Sequence, residues 1–354
     1  MRRRIAKAGR RWRDADVYAR AKNYLGWTLV LPALAALLAS VLQADAARRG
    51  TGAVPWLDWQ TYANATQRFF AGGNLYDSSQ LAGPYLLPKV VEVGYAYPPP
   101  SIFLLVPFSG GTPGLIAWLV FNACLLLSGV TAILRVSMRL GFPWALSLAA
   151  ISLSVYGPFT DGMAVGNMNV GLAGLFAWSW VLHERRKWLG AVAGLVALTK
   201  IFPGSLVAWA WRSHGWSQFR NAALVAGGIS LITLPLVGVQ EWADFARAVT
   251  NARPACVGHG VSFACAMGPA IGMGAAQLVG FAVALAAFAT AMFVSSPVLA
   301  FGLVGLAMLA PVTDMWFHYW LYPYVVVVVG LAYVLGPRLS PDIGDRPRID
   351  REAT

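Results

Sequence analysis

Charge is scarce in this sequence. Asp, Glu, Lys and Arg make up 12% of its 354 residues, where a soluble domain carries about 25%. A surface facing water needs those charges and a surface facing lipid excludes them, so a soluble globular protein is excluded first. Cysteine is scarcer still: Cys124, Cys256 and Cys265 are the only three, and no C-x-x-C pair occurs. With four histidines and no H-E-x-x-H, no clear metal-ligand cluster is visible; no metal ligand is assigned, and a metal requirement stays open. A P-loop and a G-x-S-x-G elbow are also missing, so an ATP-driven pump and a standard serine hydrolase lack support. Few carboxylates fall inside the apolar runs, which weakens the case for a proton- or ion-coupled transporter.

What is present is apolar: 58% of residues are hydrophobic and the mean hydropathy is +0.58. The apolar residues come in blocks. Leu25–Leu42 approaches the ~20 residues that cross a bilayer core. Others are Leu115–Leu134, Trp144–Tyr156, Val170–Leu182, Leu189–Thr199, Ile201–Trp211, Ala222–Val239, Gln277–Phe293, Val298–Ala310 and Tyr319–Leu335, with Ile102–Phe108 as a shorter candidate. The expected fold is therefore all-α and integral to the membrane, a polytopic bundle of about 10–11 hydrophobic helices. Several blocks are short, so some helices are expected to be broken or re-entrant, which is tolerated only inside protein or around a polar cavity. The first block is longer than a signal-peptide core and no small-residue cleavage site stands out before Asp45, so it reads as a retained span.

The net charge of +12 is concentrated beside the blocks. Nine basic residues, from Arg2 to Lys22, precede the first one. This is the positive-inside pattern, with attraction to anionic lipid added, and it places the N-terminus in the cytoplasm. Nucleic acid is not an expected partner, because no basic, aromatic-interleaved soluble module is present. The reading is a multi-pass cell-membrane protein with one transmembrane domain over residues 1–335. Its first extracytoplasmic loop covers 45–100, and a disordered cytoplasmic tail covers 336–354. Gln240–Gly274 and Thr313–His318 fall outside, and the number of complete crossings between residues 98 and 160 stays open.

The first outer loop is the most informative stretch. Trp59, Tyr62, Ala63, Thr66, Phe69 and Phe70 recur at helical spacing and Gly72-Gly73 ends the pattern. This predicts an interfacial amphipathic helix with aromatics at headgroup depth. Pro98-Pro99-Pro100 then fix φ and forbid helix before the next apolar run. Such an ordered, aromatic loop is costly for a mere connector.

Asp58 lies between Leu57 and Trp59. A carboxylate in partly dehydrated surroundings suits a general base, and the same residue would serve as an N-cap. Lys200 interrupts two apolar runs; it either meets a lipid phosphate or snorkels to the interface. His318 would transfer a proton, bind phosphate, or be structural. Asn167 and Asn169 begin another block and suit sugar hydroxyls or helix bridging. Tyr62, Tyr97, His259 and Trp316 complete the substrate-binding candidates. Arg253 suits a phosphate through bidentate bonds, while Glu241–Arg247 reads as a solvated helix. An outer location permits a Cys256–Cys265 disulfide, two buried thiols being the alternative. Cys124 sits within a span and reads as packing.

Four stretches, in order, resemble glycosyltransferase family 87, integral-membrane enzymes of the glycosyltransferase C superfamily. They are Asp58–Asp77; Tyr97-Pro98-Pro99 with the run ending in Pro107-Phe108; Gly166–Pro203; and Pro311–Tyr319. The family often has glutamine where this chain has Asn167. Within it the chain looks similar to the mycobacterial polyprenyl-phosphomannose-dependent α-1,2-mannosyltransferases. The resemblance implies a GT-C-like transferase that moves a hexose, most often mannose, from a polyprenyl-phosphate donor to a hydroxyl of an envelope glycolipid or glycan. Asp58 matches the family's catalytic aspartate, the inverting base. The leaving phosphate needs a cation or donors, for which Lys200, His318 and Arg253 are the candidates. No cofactor is implied, since the lipid-linked sugar is a substrate. The partners are that donor, a lipid-anchored glycan acceptor and membrane lipids. A transporter or lipid flippase of the cell envelope is the alternative.

Overall fold

Proline and glycine set many of the helix boundaries in the computed structural model, which describes residues 2–86, 94–183, 188–253, 256, 262–312 and 315–339. α1 runs Arg2–Gly50, and α2, Leu57–Phe70, follows a short turn. α3, Ser78–Leu81, is a single turn closed by a capping box between Asp77 and Gln80. α4, Ser101–Leu105, runs into a 3-10 turn, Val106–Phe108, and then α5, Gly111–Met138. α6, Phe142–Ser154, and α7, Gly157–Val165, each begin with proline in the first turn, where its missing N–H costs nothing. α8 is Asn169–Leu182, α9 Leu189–Thr199, α10 Leu206–His214 and α11 Trp216–Asn251. α12, Phe263–Ile271, α13, Met273–Phe293, and α14, Pro297–Leu309, lead to the 3-10 turn Phe317–Trp320 and to α15, Leu321–Leu339. Two short strands, β1 (Tyr85–Leu86) and β2 (Ala252–Arg253), pair in parallel and join the first loop to the end of α11.

Among the described residues five helices are long and apolar enough to cross a membrane: Ala21–Gly50 of α1, then α5, α11, α13 and Phe317–Gly336. α6 and α7 pass the same test together but bend by 77°. α8, α9 and α14 are shorter, at 14, 11 and 13 residues. The chain is thus an all-α polytopic membrane protein, and the ten or so apolar blocks divide into full spans, one broken pair and several short helices. Ser101–Phe108 is too short to cross, so the first loop and the start of α5 share one side. The last helix continues to Leu339, so Gly336–Leu339 are helical and not tail; 340–354 lie outside the described residues.

Close packing follows small residues. A Cβ on Gly129 of α5 would sit 2.8 Å from the Gly174 carbonyl of α8, so these helices touch through their backbones. Cys124 of α5 is exposed on the outer face of that helix and is not part of the packing.

Helix lengths shape the loop end of the bundle. At about 1.5 Å per residue, α8, α9 and α14 extend about 17–21 Å against a hydrocarbon core of about 30 Å. The start of α8, the end of α9 and the turn after α14 meet through side chains of Asn169, Lys200 and Tyr319. These short ends form one junction. α7, turned away from α6, and α2 lie beside it.

Candidate active site

α2 is positioned from its first residues. The Trp56 N–H donates to the Ala164 carbonyl at the end of α7, and Trp56 takes a left-handed conformation, φ 49°. The Trp59 indole donates to the Phe108 carbonyl at 2.9 Å. The amphipathic helix expected here is present, but Thr61, Tyr62, Ala63, Ala65 and Thr66 are buried against protein.

Asp58 is not the helix cap. Trp56 holds the capping position without a side-chain bond, and the Asp58 carboxylate turns to the neighbouring segment. There Asn167 Nδ2 donates to Asp58 Oδ2 at 2.5 Å. The approach depends on Gly166, which ends α7 with φ +71°. A Cβ at Gly166 would lie 2.7 Å from the Trp59 Cβ, so only glycine lets α2 come this close. The Gly166 carbonyl accepts from the buried Trp118 indole, which fixes the turn from below.

Polar contacts continue inward from Asp58. Asn167 Oδ1 accepts from the Asn169 backbone N–H at 2.7 Å, so both ends of this amide are used. Asn169 is completely buried, and its Oδ1 accepts from Lys200 Nζ at 3.2 Å and from the Tyr322 hydroxyl at 3.3 Å. Its Nδ2 is buried without a hydrogen-bond partner, a vacancy that costs about 1–3 kcal/mol unless a ligand fills it. Lys200 also donates to the Tyr319 hydroxyl at 3.2 Å. Its ammonium lies 4.9–5.0 Å from the ring centroids of Tyr97, Phe202 and Tyr319. The lysine does not snorkel outward. It is turned into the protein and boxed by aromatic faces, which attract a cation without neutralising it.

Tyr97 and Tyr62 close the wall between Lys200 and α2. Their hydroxyls are 3.0 Å apart, and the rings meet edge to face. Burial pushes both phenols well above their ordinary pKa, so both remain protonated at physiological pH. The Tyr76 hydroxyl donates to the Tyr97 carbonyl at 2.6 Å and anchors this wall to the rest of the loop.

The other candidates separate. His318 is buried, 4% exposed, with Nδ1 3.7 Å from Asp161 Oδ2 and Nε2 unpartnered. Trp316 precedes its 3-10 turn and packs against the core. Arg253 does not join the cluster; it is exposed on β2, and its guanidinium donates to the Thr250 carbonyl. His259 lies outside the described residues. Cys256 and Cys265 are joined by a disulfide. Glu241 and Asp244 are buried, not solvated: α11 turns them inward, and both Glu241 oxygens accept from the Leu75 N–H. Among the described residues no group of three or more His, Cys, Asp or Glu is arranged to hold a metal ion.

Sequence reading missed Tyr322, Phe202 and Asp161. Tyr322 and Phe202 sit inside apolar blocks, where an aromatic carries no mark of a polar role. Asp161 had a visible signal, a lone carboxylate between apolar runs.

Fold and site define a class: a multi-pass membrane protein whose broken and short helices enclose a carboxylate, two amides and a boxed lysine. The chain belongs to glycosyltransferase family 87, whose family model matches residues 95–313, and it is accordingly a membrane glycosyltransferase. No curated protein and no solved structure matches it. The matched stretch contains Tyr97, Asn167, Asn169 and Lys200; Asp58 and His318 lie on either side of it.

Proposed function

We propose that the protein transfers a hexose, mannose by preference, from a polyprenyl-phosphate donor to a hydroxyl of an envelope glycolipid or glycan. The carrying observation is the unbroken line of hydrogen bonds from the Asp58 carboxylate through Asn167 and Asn169 to the Lys200 ammonium. It sets a proton acceptor at one end of a polar path and, at the other, the Lys200 ammonium, which feels the Asp58 charge but makes its hydrogen bonds to Asn169 and Tyr319. Asp58 takes the proton of the acceptor hydroxyl. The acceptor oxygen forms its bond to the anomeric carbon as the bond from that carbon to the phosphate oxygen breaks, with inversion. The electron pair leaves on the polyprenyl phosphate, whose charge is met by Lys200, with His318 as a second candidate donor. A preorganised cation in a site of low dielectric stabilises such developing charge strongly. The free Nδ2 of Asn169 suits a phosphate or sugar oxygen. No cofactor takes part in this scheme.

The working face is extracytoplasmic. Support comes from the charge distribution: with Ser101–Phe108 not crossing, Arg135, Arg139, Arg212 and Arg220 fall at the end opposite the first loop, together with the basic N-terminus. Both termini are then cytoplasmic, as the positive-inside pattern requires.

The test is the purified full chain in nanodiscs with polyprenyl-phosphomannose and an envelope lipid extract, products read by mass spectrometry. A lipid product heavier by one hexose is expected from the wild type. Asp58→Asn is expected to lose about 10²-fold or more of the rate, the scale of general-base catalysis, with unchanged melting. Movement of the donor across the bilayer without any new product would instead identify a flippase.

A further inference from the structure

Asp161 lies in α7 between two elements that both serve the site. On one side Arg48, near the end of α1, donates through Nη1 to Asp161 Oδ1 at 3.0 Å. On the other side His318 presents Nδ1 to Asp161 Oδ2 at 3.7 Å, beyond hydrogen-bond range but within that of an ion pair. The same α7 holds the start of α2 through Ala164 and meets Trp59 through Gly166. His318 is followed by Tyr319, whose hydroxyl receives Lys200. One carboxylate therefore stands between the segment leading to Asp58 and the turn that touches Lys200. α7 also comes close to the His318 backbone: a Cβ at Gly162 would sit 3.1 Å from the His318 Cβ.

The two ring nitrogens of His318 are unequal. Nδ1 faces the carboxylate, and Nε2 is buried without a partner. In the protonated ring both nitrogens are donors, so Nδ1–H can face the carboxylate while Nε2–H is left to donate elsewhere. Buried polar atoms are nearly always paired, so an unpaired one in a polar cluster calls for a ligand or a chemical role.

We propose that Asp161 is a positioning residue for the transfer, acting through His318: it holds the Nδ1 edge of the ring so that Nε2 is the edge offered to the donor's phosphate. The assignment rests on the reading of this site as one that releases a polyprenyl phosphate. Arg48 fixes the carboxylate in turn, and loss of Asp161 frees the ring without removing any group that touches substrate.

The experiment uses the full chain and a polyprenyl monophosphate, the product side of the reaction, so that binding is read apart from turnover. Asp161→Asn is expected to weaken this binding by about fivefold or more, and to weaken it no further once His318→Gln is already present, as residues acting through one contact are non-additive. Asp161→Glu, which retains the charge, is expected to recover most of the loss, and Asp161→Ser replaces Asp161→Asn in the cycle if the latter does not fold. Additive losses in the double variant, or Asp161→Glu as weak as Asp161→Asn, would make Asp161 a packing residue and overturn the proposal. Wild-type protein that does not bind the polyprenyl monophosphate would overturn the phosphate-releasing reading itself, and the role of Asp161 with it.

Discussion

The side-chain amide of Asn167 donates to the Asp58 carboxylate across 109 positions of sequence. It ties the first loop's carboxylate to the polar line running inward, and it leaves the other carboxylate oxygen free of Asn167.

Asn167→Ala removes a donor to a charged acceptor, a contact worth about 1.5–3 kcal/mol. The expected outcome is a fall of about ten- to hundredfold in kcat with little change in donor KM, because the base loses its aim and the phosphate end is untouched. Steady-state kinetics with the donor varied checks this. A rise confined to KM would place Asn167 in ground-state binding.

Lys200→Met removes the cation held in the aromatic box. Donor binding is expected to weaken and turnover to fall together, since the same charge meets the phosphate in both states. Lys200→Arg is expected to rescue little: a planar guanidinium needs several aligned acceptors, and this box offers one amide oxygen, one hydroxyl and three ring faces. Equal activity of Lys200→Arg and wild type in the nanodisc assay would refute the box as a point-charge site.

Gly166→Ala places a methyl group against Trp59 and imposes φ +71° on a residue with a side chain. Overpacking and a left-handed backbone each cost about 1–3 kcal/mol. Melting is expected to fall by several degrees and transfer to fall further than stability, because the displaced helix carries Asp58. Thermal unfolding by tryptophan fluorescence, compared with the transfer rate below the transition, separates the two effects.

How much of this could be read from residues alone depended on the range of the signal. The helical spacing from Trp59 to Phe70 is local, and it marked α2 correctly. It did not tell which surface the apolar face would meet, since headgroups and protein ask for the same pattern. Lys200 announced itself by charge inside an apolar stretch. Its surroundings did not, because Tyr97, Phe202 and Tyr319 come from three distant segments. Asp58 read more readily as a cap, because capping is the local use of an aspartate before a helix; the use that won, a bond to Asn167, depends on Gly166 at the end of another helix. Glu241 and Asp244 looked like a solvated face because an isolated helix would expose them. The Leu75 backbone N–H reverses that, and no pattern in the sequence records it.

The short helices carry a consequence for the surrounding bilayer. α9 and α14 carry exposed apolar side chains, Leu195, Leu299 and Leu306, yet they stop about 13 and 10 Å short of the hydrocarbon thickness. A stretch this short is met by a thinner bilayer, by snorkelling flanks or by packing against longer neighbours, so this side of the bundle is the one most sensitive to bilayer thickness.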